Sequence, residues 1–159
     1  MQMKMRQVQR TLRITFLLTS LGWATALPLT TWVASRAHAP SLLYAAAAAV
    51  YGIGALVCHQ LPARSFQLWA VQLPVCARCT GIYVGAAIAS LIAMAVTPRD
   101  APRVTRVAIL AAVAPAALTL VYEWWSGQMP AHWIRAASGV PIGAMVTALV
   151  VAATGDQVN

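Results

Sequence analysis

The chain has 159 residues, of which 60% are apolar and only 9% charged, and its mean hydropathy is +0.71. A water-facing globule carries about 25% charged residues, so this composition excludes a soluble enzyme, a disordered tail and a free nucleic-acid-binding domain. The formal charge of +8 comes from eleven basic residues spread between apolar blocks. That is how membrane proteins place cations at span ends, so the partner is a lipid bilayer and not a nucleic acid.

A bilayer core about 30 Å thick needs about 20 mostly apolar residues per helix, and about five segments qualify. A basic cytoplasmic head, residues 1–13 with Lys4, Arg6, Arg10 and Arg13, precedes a first span over 14–35. Its length, and the Thr, Trp and Pro28 that interrupt it, mark an uncleaved span rather than a signal peptide. The second span, 41–57, is short and expected to stand upright. The others cover 81–96, 104–125 and 138–153, with Pro98, Pro102 and Pro130 in the connections. Residues 14–159 thus read as one all-α, multi-pass helical bundle of the cell membrane.

The segment 58–80 does not fit a span. Its apolar middle, Phe66 to Leu73, is too short to cross, Pro62 and Pro74 fence it, and Ser65 could cap a two-turn helix. An interfacial or re-entrant helix between the second and third spans is expected, folded back over the bundle as a floor. With five crossings and the N-terminus inside, Lys4, Arg6, Arg10, Arg13, Arg64, Arg78 and Arg135 lie inside. Arg36, Arg99, Arg103 and Arg106 then lie outside. Seven against four favours a cytoplasmic N-terminus and an external C-terminus, but leaves three arginines in one outer loop.

Two glycine pairs, Gly81/Gly85 and Gly139/Gly143, put small residues four apart on helical faces, extended by Ala89 and Thr147. Such faces let backbones approach closely, either between the third and fifth spans of one chain or between two chains of a homo-oligomer.

All three cysteines fall in the anomalous segment, within 22 residues. Cys58 ends the second span beside His59, and Cys76-Ala-Arg-Cys79 precedes the third. Cys58, His59, Cys76 and Cys79 form an S₃N set of the kind zinc favours. Neighbours 58 and 59 point apart on a regular helix, so both can ligate only if the helix ends there. With three thiolates alone, His59 is left as a proton carrier. The alternative needs no cofactor: Cys76 and Cys79, near a helix N-terminus with Arg78 between them, form a redox pair that hands electrons to a quinone, with Cys58 resolving. At a cytoplasmic site a stable structural disulfide is not expected, which favours metal or transient redox chemistry, and an external site reverses that balance.

Only three acids exist: Asp100, Asp156 and Glu123. Glu123 lies within a span, on the side of Ala112, Ala116 and Thr119, and is a candidate metal ligand or general base. Equally it could pair with Arg135. Arg64 and Arg78, with Ser65 and Thr80 beside them, suit a phosphate or carboxylate, whether of a structural lipid headgroup or a substrate. Tyr83, one turn past Cys79, is the aromatic residue to watch. The other Tyr and Trp residues near span ends, with His38 and His132, read as interfacial. A metal transporter is disfavoured, since the spans hold one clear ionisable group.

At these residues the sequence resembles the small prokaryotic membrane proteins grouped as domain of unknown function two-thousand-and-eighty-five. Their hallmark runs C-H-Q-x-P-x-R-S-F, then C-A-R-C-x-G-I-Y-x-G, then an acidic residue in a span and a final Arg/Gly element. The likeness covers about 57–145. Cys58, His59, Pro62, Arg64, Ser65, Cys76, Arg78, Cys79, Gly81, Tyr83 and Gly85 fall on the motif, and Arg135 with Gly139 on the last element. Glu123 stands where the family usually has Asp. The resemblance implies a fold and a site but no reaction. The expected function is a metal site, zinc first, that holds the segment in place or activates water against a lipid-like or anionic substrate. Glu123 and His59 would be catalytic, and Arg64, Ser65, Arg78, Tyr83 and Arg135 would bind substrate.

Overall fold

Backbone amides in a bilayer core have no water to bond, so an apolar chain of this kind satisfies them as helices. The computed structural model describes residues 2–95 and 104–155. It contains helices α1 (Gln2–Ala34), α2 (Ser41–Val57), α3 (Ala77–Ala95), α4 (Arg106–Ser126) and α5 (His132–Gly155). The all-α membrane bundle expected from composition is what forms. Four stretches are long and apolar enough to cross a membrane: Gln7–Ala34, Ala77–Ala95, Arg106–Ser126 and His132–Thr154. The expectations that fall on Pro98, Arg99, Asp100, Pro102, Arg103 and Asp156 lie outside the described residues.

Side-chain contacts fix the helix directions. Arg13 donates to the Ala93 carbonyl at 2.8 Å, and the Trp23 and Tyr83 rings meet edge-on at 5.9 Å, so α1 and α3 are antiparallel. Gly81 lies against Ala136 and Gly85 against Val140, so α3 and α5 are parallel. Glu123 meets Arg135 and Thr119 meets Ser138, which makes α4 antiparallel to α5. The start of α1 and the end of α5 therefore share one end of the bundle. The starts of α3 and α5 share the other.

Helix α2 departs from the alternating pattern. It begins shortly after α1 ends, yet the residue that follows it, Cys58, packs with Leu27 of α1 and with Val75, just before α3. Both ends of α2 thus lie in the half of the bundle where α3 starts. Its 17 residues rise about 26 Å, short of a bilayer core. Five alternating crossings would put the end of α5 opposite the start of α1, and the contacts put them together.

The short helix expected over 66–73 is corrected to a hairpin. A 3-10 turn, Pro62–Arg64, leads into strands β1 (Gln67–Leu68) and β2 (Val71–Gln72), paired antiparallel. The two residues between them, Trp69 and Ala70, have φ of 52° and 62°. Positive φ at both positions is the two-residue turn whose twist matches paired strands. A helix confined between two prolines would bear the nucleation cost for few hydrogen bonds. Ser65 caps no helix: it is buried and donates to the Leu61 carbonyl at 3.0 Å.

The two glycine pairs interlock within the chain. A Cβ at Gly81, Gly85, Gly139 or Gly143 would strike the carbonyl of Ala136, Val140, Arg78 or Ile82, respectively. Thr147 extends the seam and donates to the Ala86 carbonyl at 3.2 Å. Both faces are consumed by this contact, so neither can join a second copy as the homo-oligomer alternative required. Large apolar side chains elsewhere, such as Leu42, Leu56, Val107, Leu110 and Leu118, are exposed and face the lipid.

Candidate functional site

The sequence brings three thiols together where α2 ends and α3 begins. Helix α3 starts four residues before the expected span, so Cys79 lies in its first turn and Cys76 immediately before it. Cys58 is delivered by an extended residue, φ −148° and ψ 139°, at the end of α2. The three Sγ atoms lie within 4.8 Å of one another, and the Cys76 and Cys79 sulfurs are 3.4 Å apart. The Cys76 amide donates to Cys58 Sγ at 3.2 Å. Leu27, Trp23, Val50, Val75 and Tyr83 pack around the cluster. Tyr83 thus lines the thiols rather than the arginines.

His59 does not join them, which corrects the S₃N set. Side chains alternate across an extended residue, so with Cys58 buried inward His59 turns out and is exposed. Among the described residues the three thiols are the group placed to hold a metal ion. Sulfurs about 2.3 Å from a tetrahedral zinc stand about 3.8 Å apart, so small side-chain shifts would complete such a shell.

Cys76 is the activated thiol. Its pKa is lowered to about 5, first by the hydrogen bond with the Cys79 side chain, with backbone N–H groups of Cys79 and Arg78 and the Cys58 thiol adding, against burial. The thiolate form of Cys76 should therefore persist well below neutrality. In chelator-treated protein, alkylation of Cys76 by iodoacetamide should hold its rate from neutral pH down to about pH 5 and fall below it. A rate that already declines on going from pH 9 to neutral, as for a free thiol with a pKa of about 8.5, would refute the assignment.

Two glutamines hold the segment over the thiols. Gln60, at φ 49°, donates from Nε2 to the Tyr51 carbonyl at 2.8 Å and the Pro74 carbonyl at 2.6 Å. Gln72 donates to the Gln60 carbonyl at 2.6 Å and to Ser65 Oγ at 3.3 Å. Tyr51 donates to the Gln72 carbonyl at 2.5 Å. Gly54 allows this, because a Cβ there would collide with the Pro74 carbonyl. Ser65, expected to touch substrate, belongs to this scaffold.

Next to the thiols stands a second polar cluster. Glu123, near the end of α4, meets Arg64 Nη2 at 2.8 Å and Arg135 Nη2 at 3.4 Å. The ion pair weighed for Glu123 is therefore present, doubled by Arg64. Glu123 is not among the groups that can reach the thiols as a ligand. Arg78 donates to Thr119 at 3.0 Å, and Thr119 lies 3.5 Å from Ser138. Helix α5 starts six residues before the expected span, which is why Arg135 is helical and buried.

Residues 58–149 match the model of the family described as a predicted membrane protein, DUF2085, more than half of the chain. The chain belongs to that family. An uncharacterized protein of Methanocaldococcus jannaschii is 44% identical over 43 residues, 27% of this chain and 28% of that protein. An uncharacterized protein of Methanothermobacter thermautotrophicus is 53% identical over 30 residues, 19% of this chain and 27% of that one. The chain thus spans little more than a quarter of each of these relatives. No solved structure matches. The family match begins at Cys58 and takes in the thiols, the glutamine scaffold, the arginines and Glu123.

Sequence reasoning missed Gln60, Gln72, Thr119 and Ser138 as parts of the DUF2085 site. The signal for the glutamines was available, since amides in a segment otherwise apolar need partners. Trp23 gave no signal, because its contact with Tyr83 comes from a helix 60 positions away (83 − 23).

Proposed function

We propose that this chain binds a thiophilic transition-metal ion, zinc first, through Cys58, Cys76 and Cys79. The observation that carries the reading is the arrival of Cys58, from a different helix, within 4.8 Å of both sulfurs of the C-x-x-C pair. Thiolates select soft and borderline ions, and three of them leave the fourth position of a tetrahedral zinc open. Four-Cys iron–sulfur ligation is beyond one such chain. A metal with an open position can lower the pKa of bound water and turn it on a lipid-like or anionic substrate. Elemental mass spectrometry on protein purified without a metal-affinity tag should find near one zinc per chain, with all three thiols protected until chelation. No metal, together with a Cys76–Cys79 disulfide, would reject the reading.

The metal end of the bundle faces outward in this reading, with the N-terminus cytoplasmic. Lys4, Arg6, Arg10 and Arg13 lie at the opposite end, as does Arg106 at the start of α4. Against these five stand Arg36, Arg64, Arg78 and Arg135, of which three belong to the site. Arg106, which sat uncomfortably outside under five crossings, now falls on the inner side. In intact cells after chelation, a membrane-impermeant maleimide should label Cys76, while a C-terminal tag should be reached only after permeabilisation. The reverse pattern would overturn the orientation.

One observation favours a second reading. The 3.4 Å approach of Cys76 and Cys79, on the outer side, suits a dithiol that gives two electrons and two protons to a quinone, forming one S–S bond and a quinol. The thiol count on freshly purified protein separates the two.

A further inference from the structure

The chemistry least accounted for lies beside the thiols, where α3, α4 and α5 meet. Arg135 is 2% exposed, yet only Nη2 has a partner, the Glu123 carboxylate; its buried Nε and Nη1 have none. Arg78 repeats the pattern, with Nη2 on Thr119 and a buried Nε unpartnered. A guanidinium carries five donors, and burying them without acceptors costs more than an ordinary hydrogen bond returns. Arg64 completes the group from the turn before the hairpin. Arg64 and Arg135 pair with Glu123 while Arg78 bonds the neutral Thr119, so the three arginines and one carboxylate leave the cluster two positive charges in excess. The N-termini of α3 and α5 open at the same end and add positive potential.

We propose that Arg64, Arg78 and Arg135 form a binding site for a phosphate-type oxyanion, either the headgroup of an anionic phospholipid or free phosphate. The tetrahedral oxygens of phosphate accept from several guanidinium donors at once, which answers the orphaned nitrogens and the excess charge together. Arg64, 41% exposed in its side chain, is the open edge of the site. Trp124 and Trp125, beside Glu123 and almost fully exposed, mark this level as the membrane interface, where headgroups lie. Glu123 acts as the resident counter-ion that holds Arg64 and Arg135 in place until an anion arrives. This site goes beyond the metal reading and does not depend on it.

The test titrates inorganic phosphate and dioctanoyl phosphatidylglycerol, separately and in competition, into the full chain in an uncharged detergent, with dioctanoyl phosphatidylcholine as control. Saturable binding of one probe per chain is expected, with no response to phosphatidylcholine. Arg78→Gln and Arg64→Gln, both partly exposed, should each weaken binding about tenfold or more. Glu123→Gln should tighten it by about tenfold, because it removes the competing anion, and should increase the thermal stabilisation that phosphate confers. A purely structural role for the ion pairs predicts no such gain. Tighter binding of the lipid assigns the headgroup, and binding of phosphate that the lipid fails to displace assigns the free ion. The proposal is overturned if neither probe binds saturably, if the arginine variants bind as the native chain does, or if Glu123→Gln weakens binding.

Discussion

Replacing Cys58 by Ser is expected to abolish metal retention, from near one zinc per chain to background, in the elemental assay described above. Cys58 supplies one of only three sulfurs, and its amide partner at Cys76 ties the remaining pair to the same point. Loss of a mere hydrogen-bond partner of a ligand lowers metal affinity by about ten- to a hundredfold, so loss of a ligand from a set of three should exceed that. Ser keeps the volume but not the thiolate, so the bundle should survive. Under the dithiol reading the same variant would leave the Cys76–Cys79 couple able to form its disulfide. A variant that keeps its full zinc content would remove the metal centre from consideration.

Replacing Gly143 by Val should break the α3–α5 seam. A Cβ at 143 would overlap the Ile82 carbonyl and crowd the Ala86 amide, both backbone groups that cannot swing aside. Relief requires the two helices to separate, and with them go the contacts of Gly81, Gly85 and Gly139. Overpacking in a tight core costs about 1–3 kcal/mol, and a clash of backbone with backbone belongs at or above the upper limit. Reversible unfolding in mixed micelles should show a loss of about 3 kcal/mol, while Gly22→Ala, at a position with nothing within 4 Å, should show almost none. Equal effects of the two would refute the interlock.

Much of this molecule was legible in the order of its residues. Apolar runs gave the helices, because lipid leaves the backbone no other arrangement, and the segment read as a span over about 41–57 is a helix, Ser41–Val57, though shorter than the four that can cross. The convergence of Cys58 with the Cys76/Cys79 pair followed from their crowding into one odd segment. The hairpin was not legible. Its turn uses Trp69 and Ala70 where Asn-Gly or Gly would have announced positive φ, and an apolar octet between prolines reads equally as a short helix. Nor was the course of α2, which depends on Leu27 and Val75 meeting Cys58 across the sequence. The early starts of α3 and α5 were hidden for one shared reason. Polar residues such as Arg78 and Arg135 look like loop when they are in fact helical side chains turned toward partners inside the bundle.

The spacing of these parts along the chain also sets an order of assembly. The three thiols and both glutamines lie within residues 58–79, so a growing chain carries the complete sulfur cluster before α4 has been made. Glu123 arrives next, and Arg135 comes with the last helix. Gly81 and Gly85 must then wait for Ala136 and Val140 before the seam can close. The site therefore matures in two stages: a sulfur nest that can close early with Arg64 and Arg78 already beside it, and a charge cluster completed only when Glu123 and then Arg135 follow.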